Sequence, residues 1–378
     1  LDISVSLWKT YSENPADFRE STNHISGLNF ETLLPGGFGA ASFKVGVGGW
    51  NSVRWYRDFV GNHVVFFDHL GRRLYEGRIA NTDADTSGVS VSVAGYYAHA
   101  TDLTHGMIYP ASTPKSISDI IEDTVDLADQ WSSDKSMIKK TVTDVTPQDF
   151  TGEKKLKDAI EAVLKTGDDG VDPVPLHFAI WENRRAYLFP EPRVTDQPSW
   201  QVSTKDFVGD TGLSLSRSRD ELFNKIQILY DDPQIGQTFT DWFEDPVSQG
   251  LFGIREGSMN IGASIEDIAN LIGELAIKAY AYPVQSSTVG VSGMINTLAG
   301  AREYPYMVRA GSLVRITDYD ATVAQLVLGQ GGYDATTTVV TRTRYDADSN
   351  KLDLEFGSTR LSLDILMARL GMSSGSVR

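Results

Sequence analysis

Gly61-Asn62-His63-Val64-Val65-Phe66-Phe67-Asp68 returns near the other end of the chain as Gly311-Ser312-Leu313-Val314-Arg315-Ile316-Thr317-Asp318. Both stretches read Gly, two residues, Val, one residue, an apolar residue, one residue, Asp. Each leads to a second matched unit. Asp83-Ala84-Asp85-Thr86-Ser87-Gly88 runs into Val89, Val91 and Val93, and Asp346-Ala347-Asp348-Ser349-Asn350-Lys351 runs into Leu352, Leu354 and Phe356. Apolar residues at every second position mark a half-buried strand, and Asp/Ser/Asn/Gly clusters mark the turns that feed it. The pattern predicts two related β modules in one chain. A subunit with two similar modules can build a ring with twice its own symmetry, so the repeat points to assembly rather than chemistry. The two units lie further apart in the second copy, with residues 319–345 between them instead of 69–82. Two ordinary hairpins sharing turn chemistry are the competing reading.

A chain of 378 residues is too long for one growing core, which predicts roughly two to four domains. Fifty acidic residues against 34 basic ones give a formal charge of −16. That balance lacks the basic footprint of a duplex-binding surface and repels anionic membranes at long range. The absence of cysteine excludes disulfides, thiolate metal sites and a Cys nucleophile. No apolar run approaches the ~18 residues of a membrane span, so no stable membrane insertion is expected. The first residues, Leu1 to Leu7, alternate like a strand without a signal-peptide layout; lacking an initiator Met, the chain is expected to be processed, trimmed or a fragment.

Along the chain, strands are expected at 3–9, 27–33, 40–47, 63–68, 73–82 and 89–96, forming a closed or nearly closed barrel over 1–105. An α+β insertion over 106–205 follows. Ser116-Ile117-Ser118-Asp119 opens one helix with apolar positions to 131, and a second runs from about Glu153 to Lys165, closed by Gly167. Strands near 176–181 and 185–190 flank the hairpin turn Trp181 to Arg185. A second barrel is expected from 206–240, with its alternating Lys225 to Tyr230, and from 305–360. Between them, 241–304 is a helix-containing insertion whose strongest helix starts at Ser264-Ile265 and stops at Pro283. A short C-terminal helix at 361–370 and a tail complete 361–378. The fold class expected is mainly β with α+β insertions: two similar small β-barrels plus helix-containing domains.

Chemistry is largely missing from the pattern. The six histidines, His24, His63, His69, His99, His105 and His177, show no helical zinc spacing and read as structural. Asp346-Ala347-Asp348-Ser349-Asn350 resembles half a calcium loop, but Lys351 stands where Gly is needed and Gly357 where Glu is needed. Asp168, Asp169 and Asp172 read as a solvated loop. Glu182, Glu191 and Asp241 are possible glycosidase carboxylates, with no spacing to select a pair. Neither a Gly-x-Ser-x-Gly elbow nor a Walker loop occurs, and Val45-Gly46-Val47-Gly48-Gly49 reads as a turn. No catalytic, cofactor-binding or metal-binding residues are assigned, no cofactor is expected, and the chain is read as not an enzyme. The aromatic runs Trp50 to Arg57 and Tyr304-Pro305-Tyr306 fit either core packing or interface anchors.

The order of these pieces resembles the tail-tip or baseplate hub proteins of long-tailed bacteriophages and related contractile machines. The residues that carry the resemblance are Gly61 to Asp68, Tyr75-Glu76-Gly77-Arg78-Ile79, Asn224 to Asp231, Gly250-Leu251-Phe252-Gly253-Ile254-Arg255-Glu256 and Ala310 to Asp318, spanning about 3–360. The resemblance implies a homotrimer whose six barrels ring a DNA channel and adapt a sixfold tail tube to a threefold tip. It further implies contacts with the distal tail or tube protein ring, the tape-measure protein and tip fibre proteins. DNA would pass without specific binding along an acidic wall, in a virion assembled in the host cytoplasm. Some family members carry a C-terminal lysin or receptor-binding extension; with the sequence ending soon after Arg369, that activity is not expected here. The alternative is a β-rich carbohydrate-binding or glycan-degrading protein with Trp181, Trp200 and Trp242 as platforms.

Overall fold

In the computed structural model, strands β1 (Ser4–Trp8), β2 (Phe18–Thr22), β3 (Ile25–Leu33), β4 (Gly36–Gly46), β5 (His63–Phe67), β6 (Arg73–Asp85) and β7 (Gly88–Gly95) form the first module. The described residues are 3–357 except 12, 47–49, 111, 143–144, 146–147, 167–175, 191, 193–195, 209–213, 219–221, 233, 282–283 and 318–336. Neighbouring strands pair in the order β2–β1–β5–β6–β7–β4–β3. Among the described residues no ladder joins β2 to β3, so the wall is curved but open along one seam. Helix α1 (Trp50–Arg57) packs against β4, β6 and β7. Its Trp55 is fully buried edge-on against Phe43 and Phe59. The aromatic run is therefore mainly core, with Tyr56 left exposed. Tyr306 of the second run is likewise buried, stacked under Tyr304 with ring centroids 5.1 Å apart.

The insertion carries β8 (Ile108–Tyr109), α2 (Ile117–Leu127), β9 (Gln148–Asp149), α3 (Leu156–Thr166), β10 (Leu176–Trp181) and β11 (Arg185–Pro190). Ser116 and Asp119 close a reciprocal capping box on α2, as the Ser-x-x-Asp pattern requires. That helix ends at Leu127, yet Ala128 and Trp131 stay buried in the same cluster, so the apolar period outlasts the helix. Helix α3 starts three residues later than Glu153. Every residue of β10 is buried because its two faces serve two cores. Ala179 and Trp181 join the barrel core, while Leu176, Phe178 and Ile180 join the helical one.

The second module comprises β12 (Trp200–Ser203), β13 (Ser214–Ser218), β18 (Val284–Ser292), β19 (Ile295–Thr297), β20 (Arg302–Glu303), β21 (Leu313–Thr317), β22 (Thr337–Asp346) and β23 (Lys351–Phe356). Its ladders are β13–β18, β18–β23, β23–β22, β22–β21, β21–β12, β12–β19 and β19–β20. Lys225 to Tyr230 does not enter it. Those residues form β14 (Lys225–Asp232), which pairs with β15 (Gly236–Phe239), β16 (Phe243–Glu244) and β17 (Glu256–Ala263) in a separate four-stranded sheet. Helix α5 (Glu266–Tyr280) packs on that sheet, and α4 (Pro246–Phe252) is tied to Asn224 through Ser248 and Gln249. The expected boundaries change accordingly: 200–203 leaves the insertion, 284–303 joins the second module, and 225–232 leaves it. Alternation marks Lys225 to Tyr230 as half-buried but does not say which sheet receives it. Gly167, Asp168, Asp169, Asp172, Glu191, Pro283, Asp318 and 361–378 lie outside the described residues.

The repeat extends to the backbone hydrogen bonds from the glycine turn to the end of the second strand. β5–β6–β7 and β21–β22–β23 are both antiparallel meanders. Gly61 and Gly311 both occupy positive φ, at 82° and 87°, where a side chain is strained. Each is the third residue of a β-turn, closed by Asn62 N to Phe59 O and by Ser312 N to Arg309 O, both 3.1 Å. Gly61 N then donates to Ile79 O and Ile79 N to Asn62 O, while Gly311 N donates to Val340 O and Val340 N to Ser312 O. The next residue is a bulge in both copies, Ala80 and Thr341. Five ladder pairs then run to the turn, ending at Asp85–Gly88 and Asp346–Lys351. Asp85 and Asp346 accept the first amides of their turns through Oδ1. The copies diverge at one flank: β1 is antiparallel to β5, whereas β12 is parallel to β21.

The modules share one core, joined by an antiparallel ladder between β3 and β22 that runs from Asn29–Asp346 to Leu33–Arg342. Across this seam Phe30 and Tyr345 lie 5.4 Å apart, the Thr32 and Thr343 hydroxyls are 2.6 Å apart, and Arg342 reaches Glu31 at 2.6 Å.

Candidate functional site

Among the described residues, one buried cluster has the composition of a reactive or metal site. Glu13, His63 and Glu76 bring ligand-type atoms within 4.8 Å of one another. Strands β5 and β6 present His63 and Glu76, while Glu13 is aimed inward from the β1–β2 connection by a left-handed backbone, φ 50°. His63 Nδ1 lies 2.7 Å from the Tyr96 hydroxyl and its Nε2 3.2 Å from Glu13 Oε1. Between the two carboxylates sits Arg73, 2.8 Å from Glu13 Oε1, 2.9 Å from Glu13 Oε2 and hydrogen-bonded to Glu76 Oε2. Glu76 also accepts from Asn183 N at 2.8 Å. Burial pushes the Glu13 pKa up, but the His63 hydrogen bond and the Arg73 charge outweigh it and hold the carboxyl below its ordinary range. Burial works against the Arg73 charge too, and Glu76 and Glu13 overcome it.

This arrangement does not suit a metal ion. The guanidinium already bridges both carboxylates, so a divalent cation at the same oxygens would sit against a fixed positive charge. The cluster instead bolts three pieces together: the β1–β2 connection, the barrel wall and the β10–β11 turn. A cavity of about 270 Å³ beside it is lined by Lys9, Thr10, Tyr11, His63, Arg78, Tyr96 and Gln130. The Arg78 guanidinium is engaged by Asp102 and Gln130. The Tyr96 hydroxyl does meet His63, but it is buried and burial pushes its pKa up, which makes it a poor nucleophile. Sequence spacing hid the cluster because Glu13, His63 and Tyr96 are far apart in the chain; only the His63 position was singled out.

The other candidates separate. Asp346 spends its carboxylate on the Asp348 and Ser349 amides, and Asp348 accepts from Gly27 N at 2.9 Å, so this is a turn docked on the first module. Glu182 pairs with Arg309, whereas Asp241 belongs to the separate four-stranded unit. The three tryptophans form no platform. Trp181 is buried edge-on against Phe38 with Arg309 above it, and Trp200 packs partly buried on the shared core. Trp242, between β15 and β16, has the Lys225 ammonium 4.8 Å from its ring centre. His99 lies between Asp102 and Asp129, and His105 bonds Thr124, both in the insertion's interior. His69 packs edge-on against Tyr304, 5.4 Å away.

What remains accessible is surface suited to contacts. Val53, Tyr56 and Val60 are exposed around α1, and Ile235, Phe239, Val247 and Ile254 on the four-stranded unit. No helix among the described residues is long and apolar enough to cross a membrane.

No family model and no curated protein matches this chain. Solved structures do. The tail protein from Neisseria meningitidis MC58 superposes with a TM-score of 0.58 at 10% identity, over 96% of this chain and 98% of that one. The 43 kDa tail protein of prophage MuSo2 from Shewanella oneidensis gives 0.56 at 12% identity, over 96% and 98%. Prophage tail protein gp18 from Listeria monocytogenes EGD-e gives 0.56 at 13% identity, over 98% of both. The chain has the mainly β fold of phage tail proteins along nearly its whole length.

Proposed function

We propose that the protein is a structural hub of a phage tail tip: three copies form a ring of six β modules around the DNA channel and adapt a sixfold tube to a threefold tip. The observation that carries this reading is the repeat. Two modules share a turn, a bulge and a register, and they are already joined by a strand ladder of the kind a ring would need between subunits. Likeness in fold to tail proteins supports it. The buried cluster supports a non-enzymatic role, since its charges are spent on each other and on the fold.

In this reading the domains are the two modules, the α+β insertion between them and the four-stranded unit with α5. The partners are the distal tail or tube ring, the tape-measure protein and the tip fibres. DNA passes an acidic wall that does not hold it, in keeping with a formal charge of −16. The protein would be assembled in the host cytoplasm and remain in the virion. Native mass measurement across a concentration series tests the assembly state. Three subunits at high concentration is the expected result, and a stable dimer or hexamer would overturn the reading.

A further inference from the structure

We infer that the edge of β6 from Asn81 to Asp85 pairs antiparallel with β13 of a second copy, reproducing between subunits the ladder that β22 makes with β3 inside the chain. This rests on the ring reading above and adds the surface that closes the ring.

The equivalence is fixed by shared partners. Asp85, Ala84, Asp83, Thr82 and Asn81 occupy the five ladder positions between bulge and turn that Asp346, Tyr345, Arg344, Thr343 and Arg342 occupy in the other copy. Strand β4 relates to β7 as β18 relates to β23, which makes Ser42 the counterpart of Thr288. Asn29 pairs with Ser42 and Ser214 with Thr288, so β13 stands where β3 stands. One bridge extends the match: Ile25 pairs with Val45 as Phe207 pairs with Val291.

In the second module the 342–346 edge is covered by β3. In the first, β5 follows β6 only as far as Arg78, and among the described residues nothing pairs with the outer edge from Asn81 to Asp85. Asn81, Asp83, Ala84 and Asp85 are exposed. Among the described residues β13 pairs with β18 alone. The two open edges end one row, β6–β7–β4–β3–β22–β23–β18–β13, and an open edge is a template for another strand. Joining them is a head-to-tail contact that repeats the internal step, which closes into a ring when the rotation per step divides a full turn. Helix α1 contacts β6 as well as β7, and the Thr82 hydroxyl donates to Tyr56 O at 2.9 Å, so α1 meets this part of β6 through a buried side chain rather than through the backbone groups of its edge.

The internal register, in which Arg344 faces Glu31, places Asp83 opposite Ser216 of the next copy. Facing Cα atoms in an antiparallel pair lie about 4.5–5.5 Å apart, within disulfide reach. The chain has no cysteine of its own. Asp83→Cys and Ser216→Cys are made in separate chains, mixed at a concentration where sedimentation shows oligomer, and oxidised. Covalent dimers in the mixture, absent from either variant alone and from a mixture with Ser218→Cys replacing Ser216→Cys, are expected. Hydrogen exchange on the unaltered chain should show 81–85 and 214–218 gaining protection on assembly. A trimer with neither crosslink nor protection would overturn this interface and leave the ring reading standing. A chain monomeric at every concentration would overturn both.

Discussion

Replacing Arg73 by Ala removes the bolt between the first barrel and the β10–β11 turn. Glu76 is fully buried, and Arg73 is 16% exposed. Without the guanidinium, Glu76 keeps the Asn183 amide and Arg184 Nε at 3.9 Å, while Glu13 keeps His63 and partial solvent. Breaking a buried pair from one side costs about 3–5 kcal/mol. The surviving partners argue for the lower end, about 3 kcal/mol, or roughly a hundredfold in a local opening constant. A chain with several cores need not unfold in one step, so the readout is hydrogen exchange at Asn183 and the β10–β11 amides. Exchange there should accelerate about a hundredfold, and more than in the four-stranded unit. Adding Glu76→Gln removes the stranded charge and keeps an acceptor for Asn183, so the double variant should recover most of the loss. Unchanged exchange in Arg73→Ala, or a double variant worse than the single one, would refute the reasoning.

Gly61→Ala and Gly311→Ala should cost the same, about 1–2 kcal/mol each, because both impose positive φ on a side chain. An added Cβ meets nothing at Gly61 and only ordinary contacts at Gly311; unequal losses in urea unfolding would contradict the equivalence of the turns. Trp55→Ala should destabilise the first module by about 3–5 kcal/mol, read from its unfolding midpoint, because it empties a fully buried site between Phe43 and Phe59. Acid should weaken the fold. At Asp68 burial pushes the pKa up, but the Arg72 side chain and the Arg72 and Leu70 amides outweigh it; Glu13 is depressed as well. Groups lowered in the folded state contribute fully above the ordinary carboxylate range near pH ~4 and lose that contribution as pH falls through their folded values. Melting temperature should therefore drop on acidification below about pH 4, and less steeply in Glu13→Gln and Asp68→Asn.

The repeat was legible because its marks are local. A positive-φ glycine before alternating apolar residues and an Asp that caps a turn both leave residue types at set spacings. The 176–190 hairpin and the α2 capping box were legible for the same reason. Strands β13, β17 and β18 were not, since Ser214-Leu215-Ser216-Arg217-Ser218, Glu256 to Ala263 and Val284 to Ser292 are rich in Ser and Gly and take their pairing from neighbours. Helix α1 hid in an aromatic run whose helical period places Trp55 inward and Tyr56 outward. The Glu13–His63–Arg73–Glu76 cluster left no spacing to read, because the fold alone brings residues from two strands and a loop together. The placement of β14 was the clearest miss: one alternating strand looks like another until its partners are known.

The most direct test is an image of the assembled tail tip at a resolution that separates strands. Three copies of this chain should appear in one ring, with the module containing Gly61 alternating with the module containing Gly311 at six positions. A ring of six copies, a single copy, or three copies whose like modules sit side by side would contradict the account.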